Sequence, residues 1–312
     1  MFTLFKRRDF GDYVSDTFVF FKHTGKHYLK NYFAISGILL LILVAASYFL
    51  FQVYFDFFLK IDPNGSNSEY LESYITNNIP LVILVAVGLF LFMIFLSMLN
   101  YSIPVIYFDL YQKNDGNNFG AKEILTQFKS RFGKILVFFL ITIFLITPLL
   151  IVVFTLLFLL CFIIVGIPLL LLAIPTGFSW VTLSFYEYLN SDKGVFQSYG
   201  SGFKHLTKQY FPIVGSSMVI YIIIQVAMTV FTMIPYMFGL ASIFTATQNN
   251  TAENNPMSAV TIMMTIVMVI SILMSYILNN LLLINQGLVF YSRQEYDENK
   301  SADFSIDLIG SE

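Results

Sequence analysis

The feature that most constrains this chain is a run of 52 residues, Ile135 to Tyr186, that contains no Asp, Glu, Lys, Arg or His. About 20 apolar residues are enough for a helix to cross the hydrocarbon core of a membrane. The run is therefore too long for one crossing and suits two. Gly166-Ile167-Pro168 is the natural break between them, because Pro cannot continue a helix and Gly permits a turn. The sequence thus predicts a hairpin of two spans with a very short loop.

Four more spans are expected from the other apolar stretches. Two lie between Lys30 and Asp56 and between Glu72 and Asp109, and two lie at about 211–243 and 258–291. Only 12% of the residues are charged, against about 25% in soluble domains, so lipid must surround most of the chain. The prediction is an all-α, polytopic transmembrane bundle of six spans, with kinks at Pro148 and Pro175.

The basic residues are distributed very unevenly between the two sides of such a bundle. Of the 17 Lys and Arg residues, 16 fall in the N-terminal segment, the loops after the second and fourth spans, and the tail. Only Lys60 falls on the other side. By the positive-inside rule, both termini are cytoplasmic.

A lead-in stretch that contains Phe-Lys precedes each of the three hairpins, at Phe21-Lys22, Phe128-Lys129 and Phe203-Lys204. Each hairpin ends in an aromatic-acidic closure. The closures are Tyr107-Phe108-Asp109-Leu110-Tyr111, Phe185-Tyr186-Glu187-Tyr188, and Phe290-Tyr291 through Glu295-Tyr296. We therefore predict a single membrane domain, 1–312, made of three lead-in-plus-hairpin repeats at about 12–111, 119–190 and 194–296. Residues 297–312 form a cytoplasmic acidic tail.

Apolar residues recur at helical spacing in each lead-in, which predicts one amphipathic face. The faces comprise Val14, Phe18, Phe21, Gly25, Tyr28 and Tyr32; Leu125, Phe128, Phe132 and Ile135; and Phe196, Tyr199, Phe203, Leu206 and Tyr210. Such helices lie in the membrane interface, where each basic residue attracts anionic headgroups by about 1 kcal/mol. Eight residues are predicted to make these headgroup contacts: Lys22, Lys26, Lys30, Lys129, Arg131, Lys134, Lys204 and Lys208. Anchoring alone, recognition of a specific headgroup and recognition of a cytoplasmic partner all remain open.

Six amide side chains lie inside the predicted spans: Asn100, Gln225, Asn279, Asn280, Asn285 and Gln286. Asn and Gln commonly hydrogen-bond across membrane helices. The alternative is that they line a cleft near the cytoplasmic half, where Pro104 and Gly287 could loosen the helices.

No constellation of residues indicates catalysis. The spans carry no ionisable acid or base away from their ends, which weighs against proton-coupled pumps and intramembrane proteases. His23 and His27 have metal-ligand spacing, but no carboxylate or Cys joins them nearby. We expect no enzymatic activity, no cofactor, no metal and no nucleic-acid partner.

The repeated lead-in and hairpin resemble the membrane domain of some glycerophosphoryl diester phosphodiesterases and related six-span bacterial proteins. The phosphodiesterase activity does not carry over, because no barrel domain of about 250 residues follows the spans. The resemblance implies a multi-pass protein of the bacterial inner membrane. We predict a non-enzymatic scaffold or accessory subunit with a membrane-protein partner. The alternative is a permease or lipid-handling protein with a cleft between helical repeats.

Overall fold

The computed structural model describes residues 2–58, 76–249 and 256–299, and confirms the all-α prediction for them. The tail from residue 300 onward lies outside the described residues. The helices are α1 (Phe10–Phe58), α2 (Ile79–Lys113), α3 (Ala121–Ser130), α4 (Phe132–Ile141), α5 (Thr147–Leu159), α6 (Gly166–Asn190), α7 (Val195–Lys208), α8 (Tyr210–Asn249) and α9 (Pro256–Glu298).

Within the described residues, six helical segments are long and apolar enough to cross a membrane, as predicted. They are Phe10–Phe51, Ile79–Lys113, Phe132–Phe162, Gly166–Asn190, Tyr210–Ala241 and Val260–Glu298. This is the make-up of a multi-pass membrane protein.

The turn between the third and fourth spans lies where the sequence places it. A 3₁₀ turn, Leu160–Ile163, ends the third span, and α6 begins at Gly166. A Cβ atom at Gly166 would overlap the backbone of Leu157 and Cys161. Only glycine fits this close approach, because it has no Cβ.

The prolines inside the spans have different local effects. Pro148 follows a π-helical segment, Thr142–Ile146. Pro148 has no N–H to donate to the Phe144 carbonyl group, and a π-bulge is a common way for a helix to absorb such a gap. Pro104 and Pro175 lie inside helices that continue past them.

The residues cluster into two compact units. The first takes the described residues of Met1–Ile35, Met98–Ile223 and Asn279–Glu312, and the second takes those of Ser36–Ser97 and Ile224–Leu278. The middle hairpin lies wholly in the first unit, whereas the first and third hairpins contribute to both. The three-repeat organisation stays a prediction.

The core of the first unit is built from the aromatic residues of the three closures. Tyr296 is exposed, and the other eight are nearly or fully buried: Tyr107, Phe108, Tyr111, Phe185, Tyr186, Tyr188, Phe290 and Tyr291. The Phe108 and Tyr291 rings lie 5.6 Å apart, and the Tyr186 and Phe290 rings lie 5.4 Å apart. Aromatic pairs at such distances contribute about 0.5–1.5 kcal/mol beyond their burial. The ends of α2, α6 and α9 therefore meet through these rings.

Gly287 lies at this junction, where a Cβ atom would overlap the Phe108 ring and lie 2.6 Å from the Tyr186 hydroxyl oxygen. In the alternative interpretation of a polar cleft, Gly287 could loosen α9. It instead permits close packing, as small residues do between membrane helices.

Gly202 has the same role where α7 packs on α6. A Cβ atom there would lie 2.8 Å from the Ser184 backbone nitrogen and 2.9 Å from its Cα. Two residues earlier, a Cβ atom on Gly200 would meet nothing within 4 Å. The two glycines thus form a matched pair on one helix.

Substitution of Gly202 by Ala should lower the free energy of unfolding by about 1–3 kcal/mol, because the added methyl group forces the backbones apart. Gly200→Ala should be neutral or stabilising by up to about 1 kcal/mol, since alanine favours the helix. Denaturation in mixed detergent micelles, followed by circular dichroism, measures both. Equal effects of the two substitutions would contradict the packing role.

Candidate functional site

The amide side chains near the end of α9 are hydrogen-bonded to other helices. Asn285 and Gln286 have no exposed surface. The Asn285 Nδ2 atom donates to the Tyr13 carbonyl oxygen at 3.0 Å and to Thr17 Oγ1 at 3.3 Å. The Gln286 Nε2 atom donates to Ser217 Oγ at 2.7 Å. These bonds tie α9 to α1 and to α8.

Two tyrosines of α1 donate hydrogen bonds to two more amide side chains. The Tyr28 hydroxyl group donates to Asn280 Oδ1 at 2.5 Å, and the Tyr32 hydroxyl group donates to Asn100 Oδ1 at 2.9 Å. All four side chains are buried. One face of α1 is therefore fastened to both α9 and α2. This placement favours interhelical bonding for Asn100, Asn280, Asn285 and Gln286, rather than a polar cleft.

The remaining two amides are placed differently. Gln225 is exposed on α8, in the second unit. Asn279 is half-buried and lines a cavity of about 320 Å³ in the first unit. Its other walls are mostly apolar and include Phe178 of α6, Ile222 of α8 and Leu282 of α9. The structure does not bring the six predicted amides together around one space.

The aromatic face predicted for each lead-in splits into a buried part and an exposed part. In the lead-in part of α1 the buried residues are Tyr13, Thr17, Phe20, Thr24, Gly25, Tyr28, Asn31 and Tyr32. Of the predicted apolar face, Gly25, Tyr28 and Tyr32 are buried, whereas Phe18 is exposed. The buried Thr17 and Thr24 show that the side packed against protein also includes polar residues, which the apolar spacing did not indicate.

The other two lead-ins show the same division. Phe128 and Ile135 are buried in the second, and Tyr199 and Leu206 are buried in the third. The exposed apolar residues are Phe132 at 37%, Phe196 at 63% and Phe203 at 54%. In a membrane, hydropathy alone does not distinguish a side chain that faces protein from one that faces lipid.

The eight predicted headgroup residues differ in what they contact. Lys22, Lys26, Lys30, Lys129, Lys134, Lys204 and Lys208 are exposed. Lys134 lies 3.8 Å from Asp192, and Lys208 lies 2.6 Å from Asp297. Arg131 is half-buried and binds Asp109 at 2.6 Å. Headgroup contact stays a prediction for these residues, and Arg131 has an evident structural role as well.

The two histidines considered as metal ligands, His23 and His27, lie in different surroundings. The His27 ring nitrogens lie 2.8 Å from the Tyr107 hydroxyl oxygen and 2.8 Å from the Phe119 carbonyl oxygen. His23 is exposed. No group of three or more His, Cys, Asp or Glu residues in the described part of the chain is arranged to hold a metal ion.

Arg8 is a structural residue that the sequence did not distinguish from its basic neighbours. Its side chain is fully buried, with Nε 2.9 Å from Asp16 Oδ2. Its terminal nitrogens donate to the Leu4 and Thr3 carbonyl oxygens, both at 2.7 Å. Burial lowers the pKa of the guanidinium, although the hydrogen bond to Asp16 opposes this shift. The basic cluster of the N-terminus thus contains one interior residue.

Comparisons of the chain with protein-family models, curated proteins and solved structures gave no match. The resemblance to phosphodiesterase membrane domains therefore stays an expectation.

Replacing Asn285 with Ala should lower the free energy of unfolding by about 1–2 kcal/mol, because two acceptors, the Tyr13 carbonyl oxygen and Thr17 Oγ1, lose their donor in a water-free interior. Gln225→Ala removes an exposed amide and should change stability by less than about 0.5 kcal/mol. Equilibrium denaturation in mixed micelles compares the two. A neutral Asn285→Ala variant would argue against a structural role for this network.

Proposed function

We propose that this protein is a non-enzymatic scaffold or accessory subunit of a membrane complex in the bacterial inner membrane, with both termini in the cytoplasm. The observation that carries the proposal is that the buried amide side chains form hydrogen bonds between helices. Asn280, Asn285 and Gln286 have no exposed surface, and bonds from these residues join α9 to neighbouring helices. Hydrogen bonding of this kind supports a fixed assembly.

A permease needs polar groups that substrate can reach and helices that move apart during transport. Separation of α1 from α9 would break the Tyr28–Asn280 bond and both donations from Asn285. Separation of α2 from α9 would also break the Phe108–Tyr291 ring contact. The cost of breaking these contacts together favours a static role.

The basic lead-ins supply the membrane-facing part of the proposal. Lys22, Lys26 and Lys30 are exposed at spacings of four residues on α1, so they lie along one side of the helix. Anionic headgroups are the partner that such a row would meet at the cytoplasmic surface. This contact would orient the protein while other surfaces remain available to a membrane-protein partner.

The topology can be tested by labelling single cysteines in a Cys161→Ser background. Cells are used in which the outer membrane is permeabilised and the inner membrane is intact. In these cells a cysteine at Ser66, which lies outside the described residues, should react with a membrane-impermeant maleimide. A cysteine at Lys26 should react only after the inner membrane is opened. The reversed pattern would contradict cytoplasmic termini.

The scaffold role predicts a complex of fixed stoichiometry with another membrane protein. Native mass spectrometry of the gently extracted, tagged protein measures this directly. An unrelated six-span protein carrying the same tag serves as the control for nonspecific capture. Recovery of a lone monomer from native membranes would count against the scaffold.

The apolar cavity beside Asn279 favours a second candidate, a lipid-handling protein. Its volume of about 320 Å³ falls within the range of small-molecule sites. Ile222→Trp would fill this cavity, and Ile223→Trp places the same bulk on a neighbouring residue outside the lining. A lipid that survives purification, is lost from Ile222→Trp and is kept by Ile223→Trp would support the second candidate over the scaffold.

A further inference from the structure

A second cavity, of about 390 Å³, lies where the ends of α6 and α9 meet the side of α7. Its walls are more polar than those of the apolar cavity, although Phe290 also lines it. They include Asn190, Lys193, Ser201, Lys204, Asp297 and Glu298. All of these residues belong to the first unit.

The α7 helix presents three distinct sides. Tyr199, Gly202 and Leu206 are buried, and Gly202 makes the close contact with α6. Ser201, Lys204 and His205 line the charged cavity. Phe196 and Phe203 are exposed. Exposed aromatic residues beside a basic side are typical of a helix that lies in the membrane interface, so the cavity would open at the level of the lipid headgroups.

The acids of the cavity that pack against α7 already have basic partners. Glu187 lies 2.5 Å from Lys193 and 3.5 Å from His205. Asp297 lies 2.6 Å from Lys208 and 3.0 Å from Arg293, and its second oxygen lies 3.7 Å from His205 Nδ1. These ion pairs link α6, α7 and α9 and hold the walls of the cavity in place.

Three hydrogen-bond donors of the lining are left available. The Lys204 side chain is exposed, and its ammonium makes no ion pair or hydrogen bond with the described residues. Ser201 lies one turn before it and accepts a bond from Lys193 at 3.1 Å, which leaves its hydroxyl proton free to donate. The Asn190 Nδ2 atom is buried without a hydrogen-bond partner. An ammonium, a hydroxyl and an amide together suit an oxyanion such as phosphate.

The cavity also carries negative charge that a simple anion would not match. Glu298 adds a carboxylate, and α9 ends at this residue. The C-terminus of a helix carries partial negative charge and favours cations. A ligand that has both a phosphate and an ammonium group can pair its phosphate with the hydrogen-bond donors of the cavity and its ammonium with the carboxylate.

We propose that this cavity binds a phosphoethanolamine group, with the phosphate at Lys204, Ser201 and Asn190 and the ammonium toward Glu298. The group can come from phosphatidylethanolamine in the membrane or from a soluble phosphoethanolamine. This inference rests on the proposed interfacial position of α7, but not on the scaffold role or on any protein partner.

The test uses the delipidated full-length protein in detergent. Native mass spectrometry and thermal shift follow the addition of phosphatidylethanolamine, of phosphatidylglycerol with the same acyl chains, or of O-phosphoethanolamine. Lys204→Gln removes the proposed phosphate contact, and Lys129→Gln is the matched control at the Phe-Lys pair of the second lead-in. Because Lys204 and Lys129 are both exposed, both variants should unfold at the wild-type temperature without ligand.

We expect phosphatidylethanolamine to bind more tightly than phosphatidylglycerol, and Lys204→Gln to weaken its binding about tenfold or more. Lys129→Gln should leave this affinity unchanged. Glu298→Gln should reduce the preference for phosphatidylethanolamine, because the ammonium loses its carboxylate. Stabilisation by O-phosphoethanolamine alone would assign the same site to a soluble ligand.

Equal weakening by Lys204→Gln and Lys129→Gln would overturn the pocket and leave only general attraction of headgroups to the basic lead-ins. No preference for an ethanolamine-bearing ligand would overturn the proposal as well. Neither result bears on whether a membrane-protein partner co-purifies, so this test and that of the scaffold fail independently.

Discussion

The constraint on which the structure depends is the absence of water around the spans. In hydrocarbon every backbone polar group must be satisfied within the protein, which leaves helices as the simple solution for a chain of this pattern. The same constraint acts on polar side chains. Asn280 and Asn285 lie on a membrane-spanning helix, and each is hydrogen-bonded to α1. Their hydrogen bonds therefore help to fix how the helices of the first unit pack.

Lipid also removes the usual driving force for helix association, because acyl chains are as apolar as the helix surface. Close packing must take its place. Gly202 and Gly287 let neighbouring side chains and backbones approach where any Cβ atom would collide. Ser179 and Ser217 form a hydroxyl–hydroxyl hydrogen bond between α6 and α8 at 3.0 Å. The aromatic closures then fill the space between α2, α6 and α9, so small and large residues act together.

Most of the basic residues divide by type, with the exposed Arg7 as an exception. Arg8 and Arg293 are buried, and Arg131 is half-buried, each bound to a carboxylate. The Lys residues of the lead-ins remain exposed. A planar guanidinium is suited to interior ion pairs, whereas a strongly hydrated ammonium favours the surface. One set of cations holds the helix ends together, and the other set is available to lipids. Lys204 is notable within the second set because it borders a cavity.

The sequence by itself determined the number of spans, the break at Gly166 and the helical class, because each depends on local apolar length and on backbone chemistry. It also marked the closures, the lead-ins and the six amides as unusual. It did not determine which side of each lead-in is buried, since Phe18 and Phe203 are as apolar as Phe20 and Phe128. The partners of Asn285, the interior position of Arg8 and the charged cavity were decided only by tertiary structure. Asn285 and the charged cavity join residues far apart in the chain. The Arg8 side chain is enclosed by nearby Thr3, Leu4 and Asp16, while its backbone N–H donates to distant Ser292. No local pattern records which distant group a polar side chain meets.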